Sequence, residues 1–491
     1  MNGGPNLYQK SVALLFCVIV SAATFGFVSK ARAEKISAQN LTAYQRFLFA
    51  QNSIAPTSLN PSRRQGKRTD GAIVIVNGRT VFEQYARGYN KDKKHIMWST
   101  SKTVMALLYG VALKEHRVNL SDSICKYVTA IQPGQCGITV GDLLQWSSGL
   151  KWNEIYEKGN ILASSVIAML YGVGHRDMAA YVLGHPLEPG IKPGTSWRYS
   201  SGDSLLAANI LQKVYAGQNI RSVFRQKLFA PLGMKHWIWE SDLSGTIGGA
   251  FYFYSSARDL ARLGQIFLDH GKINGKRLVD PHFIDFMETI PPAFTMRRPA
   301  DPHIHDVSGA TLWINKPAIG KESSALNVPA PWPFAPPDTV ATIGHWGQYL
   351  VVIPSLHLIA VRIGDTRDDS FPIGNFIKQT VRLVRGEPVI VKKYVPRVAK
   401  PSKLQPSSLL WRLRAAPLAL GYMSKMACSC LFVSKSSAAR CHNFSYVPQV
   451  PMAKLEIDWA QKRTRAVIPW LSLFLHADAK YVSSEKGCVL E

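Results

Sequence analysis

Apolar positions along the chain change period several times, and the changes mark out elements. Residues 34–68 are polar apart from one helical stretch around "AYQRFLFAQN". The following "GAIVIVNGRTVFEQYARGY" holds two β-rich runs on either side of Asn77-Gly78, the dipeptide best suited to a two-residue hairpin turn. A run at helical spacing leaves from Ser99, and residues 120–330 read as mostly helical with long loops. "SSARDLARLGQIFLDHG" is the clearest of these helices, with Gly271 as its stop. Strands return in "GQYLVVIP" and "LHLIAVRIGD", a second hairpin around Pro354-Ser355, and "FPIGNFIKQTVRLVRG" adds a final helix. A sheet supplied from both ends of a domain, with helices inserted between, predicts an α+β fold on an antiparallel sheet.

The two ends read differently. Lys10 precedes the apolar "SVALLFCVIVSAATFGFV" and then "SKARA". A basic start, an apolar stretch and Ala31-x-Ala33 predict an export signal over residues 1–33, making the protein periplasmic or secreted, with an uncleaved membrane anchor as the alternative. No second segment reads as able to span a bilayer. Residues 34–390 form the main domain. Residues 391–427 carry eight basic residues, four prolines and no acid, and read as a linker with a short helix near "SSLLWRLRAA". Residues 428–491, with strand-like "AKLEIDWA" and "AVIPWLSLFLHA", read as a small cysteine-braced appendage.

Composition narrows the class. With 46% hydrophobic residues and no internal repeat, the chain is neither disordered nor a repeat array. Removal of the signal takes Cys17 and leaves six cysteines, an even count that favours disulfides in an exported chain. Cys125 and Cys136 enclose a short loop with a Pro-Gly turn and are natural partners. Cys428, Cys430, Cys441 and Cys488 crowd into the end of the chain with their pairing open, although Cys428 and Cys430 are too close to join each other. Zinc is a second reading of that cluster, poorly served by His442 and His476 and by the lack of a Cys-x2-Cys pair. A net charge of +26 attracts anionic surfaces such as a membrane or cell wall, with a plain solvated basic surface as the alternative. Nucleic acid is disfavoured by the predicted export and by the lack of a recognisable module.

The candidate chemistry lies in Ser-x-x-Lys, which occurs at Ser99/Lys102, Ser123/Lys126, Ser148/Lys151 and Ser483/Lys486. Spacing does not choose among them; context does. Ser99 stands in the first turn of a helix, where residues three apart share a face and Lys102 falls beside the hydroxyl. Free N–H groups at a helix start favour negative charge, including a developing oxyanion. A lysine near its ordinary pKa of about 10.4 is a poor base, so Lys102 must be desolvated or share its proton. Ser123/Lys126 brackets Cys125, Ser148/Lys151 straddles a glycine turn and Ser483/Lys486 lies in the tail. The alternative for Ser99 is a helix cap with Lys102 in solvent.

"WSTSKT", "ITVGDLLQWSSGLKW", "KPGTSWRYSSGDSLL", "SSARDLARLGQIFL" and "GHWGQYLVVIP" occur in this order. Over residues 65–385 the chain resembles serine hydrolases of the β-lactamase/DD-peptidase fold, and within them the class C-related (family VIII) esterases and 6-aminohexanoate-dimer hydrolases. The resemblance implies a Ser99 acyl-enzyme, Lys102 as proton acceptor, Tyr199 as proton relay to the leaving group, and neither metal nor organic cofactor. Ser201 fills the last place of a motif that is commonly Tyr-x-Asn, and His345-Trp346-Gly347 replaces the Lys-Thr-Gly of the lactamases. The backbone N–H of Gln348 would pair with that of Ser99 as the oxyanion hole. Tyr171 is similar to a substrate-side tyrosine of the amide hydrolases. Trp152, with Glu154 and Tyr156, is a groove candidate, with buried packing as the alternative. An imidazole suits a substrate carboxylate less well than an ammonium group, and Trp346 narrows the groove, so the pattern implies a small ester or amide substrate. Two other readings stand beside it: a peptidoglycan DD-peptidase or β-lactamase, and a catalytically silent binding protein on the same fold.

Overall fold

The computed structural model describes residues 36–50, 66–157, 159–295, 306–320, 327–368, 370–392, 409–448 and 450–491. The predicted signal with Cys17, and residues 393–408 of the predicted linker, lie outside the described residues. The main domain carries strands β1 (Thr69–Val76), β2 (Arg79–Tyr85), β3 (His95–Ile96), β4 (Trp237–Trp239), β5 (Phe253–Ser255), β6 (Trp313–Ile314), β7 (Val340–Gly344), β8 (Gln348–Ile353) and β9 (Leu358–Gly364). Its principal helices are α1 (Ala38–Phe49), α2 (Thr100–Lys114), α3 (Ser165–Tyr171), α4 (Ser201–Val214), α5 (Ala257–Leu268) and α6 (Ile373–Val384).

The predicted hairpins are both present. Asn77 and Gly78 turn with φ of 49° and 73°, as a tight hairpin demands. β1 then pairs antiparallel with β9 from the far end of the domain, giving the order β2-β1-β9-β8-β7-β6. This is the antiparallel sheet expected from strands at both ends, and it is the β-lactamase/DD-peptidase-like arrangement with inserted helices. α5 lies across the sheet against β9 and β8, while α1 packs on α6 through Tyr44 and Thr380, whose hydroxyls are 2.6 Å apart. α2 is buried on nearly every side from Thr100 to Ala112, which fits a helix apolar all round. A second small sheet, β3-β5-β4, delivers the chain to Ser99.

The C-terminal region is the predicted cysteine-braced unit, bridged at Cys428–Cys488 and Cys430–Cys441, but it departs from the predicted linker. Helix α7 (Leu409–Cys428) takes up residues 409–427 of the supposed linker, and with its continuation to Val433 it is long and apolar enough to cross a membrane, contrary to the sequence reading. It is a core helix instead, packed between α3 and the antiparallel meander β10 (Lys454–Asp458), β11 (Arg463–Val467), β12 (His476–Ser483) and β13 (Gly487–Leu490). Its basic residues misled the composition reading. Arg412 and Arg414 point outward, while Trp411, Ala415, Ala416, Ala419, Leu420 and Met423 form a buried helical stripe. "AVIPWLSLFLHA" is also not one strand: β11 stops at Val467 and a turn through Pro469–Leu471 leads to β12.

Cys125 and Cys136 are bridged as expected. Cys428–Cys488 and Cys430–Cys441 close the pairing left open, and all six described cysteines are thereby taken, against the zinc reading. The second of these bridges holds α8 (Ala438–Ser445), whose Arg440 donates to the buried Asp70 of β1 at 3.0 Å.

Candidate active site

Ser99 sits on the turn between β3 and α2. Trp98 before it has φ +48° and Trp346 of the β7–β8 hairpin has φ +61°, conformations that a bulky residue adopts only when its surroundings enforce them. The two rings pack edge to face at 5.3 Å, so each constrains the other. Gly344 ends β7 so close to the Ser99 turn that a Cβ would lie 2.2 Å from the Met97 carbonyl oxygen. Only glycine permits that approach. The hydroxyl of Thr100, first residue of α2, meets that of Thr342 at 3.0 Å and completes the contact.

Ser99 occupies the N-cap position of α2, yet its hydroxyl caps no backbone N–H. Lys102 Nζ lies 3.0 Å from Ser99 Oγ and donates also to the Ala250 carbonyl at 3.2 Å. Lys102 is 1% exposed, and burial pushes its pKa down to about 7 against the opposing pull of the Glu154 carboxylate. Its ammonium position lies 4.9 Å from the centre of the Tyr199 ring and 5.0 Å from that of Phe251. Tyr199 precedes Ser200, the residue whose hydroxyl caps α4, and is held against Trp146 at 4.6 Å and Trp313 at 5.9 Å. Three stretches far apart in the chain thus meet at one point.

The other Ser-x-x-Lys pairs have structural employment. The Ser123 hydroxyl donates to the Cys136 carbonyl, that of Ser148 to Asp203 at 2.9 Å, and that of Ser483 accepts from Lys486 N–H. Lys126 Nζ, for its part, donates to Asp122 at 3.0 Å.

Ser99 and Tyr199 open on a cavity of about 300 Å³ walled by Glu157, Trp313, His345, Trp346 and Arg367, among others. His345 Nε2 lies 3.0 Å from a Glu157 carboxylate oxygen, and the Trp346 indole N–H donates to the same oxygen at 3.0 Å. Burial would raise the Glu157 carboxyl, but the facing His345 ring outweighs it and holds the group well below the usual carboxylate range. Arg367 spreads its guanidinium 3.7 Å over Trp346 and donates to the Phe444 carbonyl of α8 at 2.9 Å. The C-terminal unit therefore reaches the cavity wall.

In the β7–β8 hairpin Gly347 has φ +91° and Gln348 opens β8. Gln348 is fully buried with its side chain bound within the sheet to Gly364, while Gly347 before it lines the cavity. Three predicted substrate residues do not line the cavity. Ser201 is fully buried, giving its backbone N–H to Glu154 at 2.9 Å and its hydroxyl to the same carboxylate. Trp152 is buried and donates its indole N–H to Glu154 at 2.5 Å. Tyr171 is covered by α7, its ring against Tyr422 and its hydroxyl 3.9 Å from Met426 Sδ. Tyr171 is a substrate candidate only by its likeness to the amide hydrolases, and here α7 takes the place a substrate would need. Glu157 was not anticipated, since two carboxylates in "NEIYE" look like any solvated pair.

The Beta-lactamase family matches residues 51–369. Over 318 residues the chain is 22% identical to an uncharacterized protein of Alkalihalophilus pseudofirmus, covering 59% of this chain and 82% of that one. It is 23% identical over 232 residues to the 6-aminohexanoate-dimer hydrolase of Paenarthrobacter ureafaciens, covering 44% of this chain and 56% of that one. A penicillin-binding protein homolog from Caulobacter crescentus aligns with a TM-score of 0.49 at 15% identity, covering 72% of this chain and 97% of that one. The family match ends before α7, so the C-terminal helix and meander lie beyond it.

Proposed function

The chain belongs to the Beta-lactamase family of hydrolases, and from that premise we propose that it is an exported serine hydrolase cleaving small esters or amides through a Ser99 acyl-enzyme. One observation carries the reading: a buried Lys102 amine, depressed to about 7, in contact with a Ser99 hydroxyl that serves no structural bond. In this scheme Ser99 Oγ attacks the carbonyl carbon and its proton passes to neutral Lys102. The oxyanion is taken by the backbone N–H groups of Ser99 and Gln348. As the bond between the carbonyl carbon and the leaving group breaks, Tyr199 gives its proton to the departing alcohol or amine and regains one from Lys102, and water then repeats the sequence on the acyl-enzyme. The three bridged cysteine pairs support export.

The proposed base sets the pH dependence. Only the neutral amine accepts a proton, so kcat/KM on an uncharged p-nitrophenyl ester should fall about tenfold per pH unit below the Lys102 pKa of about 7 and level off above it. Glu154 favours the ammonium form. Glu154→Gln should therefore move the acid limb to lower pH, and a limb that moves upward contradicts the assignment.

His345 is already paired with an internal carboxylate, Glu157, which supports uncharged substrates over carboxylate-bearing ones. The chain should prefer p-nitrophenyl butyrate to the similarly sized mono-p-nitrophenyl succinate. Glu157→Gln should shrink that kcat/KM ratio by about tenfold, the scale of one charge acting across a partly exposed site. A ratio that stays put would remove Glu157 as the cause.

A further inference from the structure

Apolar surface is normally tucked away, and patches of it mark contacts. The loop between β11 and β12 leaves Trp470 70%, Leu473 84% and Phe474 84% exposed. The loop is not loose. Leu471 and Leu475 turn inward with Ile468 against Ala416, Ala419 and Leu420 of α7, and Leu475 N–H donates to the Leu471 carbonyl at 2.7 Å. The three outward residues are thus held out by a braced turn.

The two elements packed beneath this tip, α7 and β10, carry exposed basic residues. Arg412 stands one helical turn before Ala416 and Arg414 two residues before it, both exposed, with Leu410 and Leu413 exposed beside them. Lys454, exposed, pairs in register with Val467 just before the loop. No acidic residue occurs between Glu387 and Glu456. A second copy docked by symmetry would set these like charges against each other, whereas an anionic leaflet complements them.

We infer that this tip is a membrane-docking surface, in which Trp470, Leu473 and Phe474 enter the headgroup–acyl boundary of an anionic phospholipid leaflet while Arg412, Arg414 and Lys454 meet its phosphates. Tryptophan is favoured at that boundary because its ring is apolar and its N–H polar. The inference does not depend on the chemistry proposed for Ser99. It gives the chain's basic charge a place to act.

The test uses the chain from residue 34 onward, which holds every described element, with sedimented vesicles of phosphatidylcholine alone or with about 30 mol % phosphatidylglycerol. Partitioning should be at least about tenfold stronger onto the anionic vesicles. It should drop at least about tenfold in Trp470→Ser/Leu473→Ser/Phe474→Ser, with the melting curve unchanged because the three side chains pack on little. Arg412→Gln/Arg414→Gln, which spares the apolar tip, should lose most of the preference for phosphatidylglycerol. Equal binding to both vesicles, or triple-variant binding equal to wild type, overturns the inference. So does a wild type that ignores vesicles but forms dimers that the triple variant abolishes.

Discussion

Ser99→Ala is expected to lower kcat/KM on p-nitrophenyl esters by roughly 10⁴-fold or more, the loss typical when a covalent nucleophile is removed. The melting temperature should barely change. A serine at a helix N-cap often contributes about 1 kcal/mol by bonding a backbone N–H, but the Ser99 hydroxyl makes no such bond. The variant thus separates chemistry from folding. Lys102→Ala should lose a comparable amount, and the double variant should be little worse than either single one, because two residues that move one proton act as a unit. Steady-state kinetics beside calorimetry checks all three chains. A Ser99→Ala protein within tenfold of wild type excludes the acyl-enzyme.

The second large effect is on stability, at the seam between the main domain and the C-terminal unit. Glu240 follows β4 and is wholly buried, and its partner Lys425 on α7 is 2% exposed. Ser429 donates its hydroxyl to the carboxylate at 2.8 Å and the Cys488 backbone N–H donates at 2.7 Å. Lys425 itself donates to Glu240, and burial depresses its pKa although Glu240 resists the shift. Breaking a buried pair by removing one member leaves a charge without compensation, at a cost of about 3–5 kcal/mol. Lys425→Met should therefore lower the unfolding midpoint of the C-terminal unit strongly. Lys425→Met/Glu240→Gln should recover much of the loss, since the neutral amide leaves no bare charge and its oxygen can still accept from Ser429 and the Cys488 N–H. Denaturant unfolding followed by near-ultraviolet circular dichroism reads the difference. A loss below about 1 kcal/mol for the single variant would mean that the charge is solvated after all.

What could be read in advance was local. Asn77-Gly78 encodes its turn in two residues, and Ser99 and Lys102 are brought together by one turn of helix whatever else the chain does. Cys125 and Cys136 close a loop short enough to be recognised by eye. What escaped depended on distant partners. Glu157 meets His345 across 188 positions, and no local pattern distinguishes that carboxylate from Glu154 three residues before it. Tyr171 changed meaning because α7 covers it. α7 in turn was hidden by arginines that sit on its solvent side, while its stripe of alanines and leucines carries the packing. Ser201 illustrates a further limit: position in a motif located it beside the site, but the hydroxyl is spent on Glu154.

The chemistry stands or falls on where a carbonyl or phosphonyl group becomes attached. Incubating the protein with a fluorophosphonate probe, digesting it and sequencing the labelled peptide by mass spectrometry gives that position directly. The adduct is expected on Ser99 alone, forming faster as the pH rises through about 7 and lost in Lys102→Ala. A label on any other serine, or a folded protein that takes none, contradicts the account.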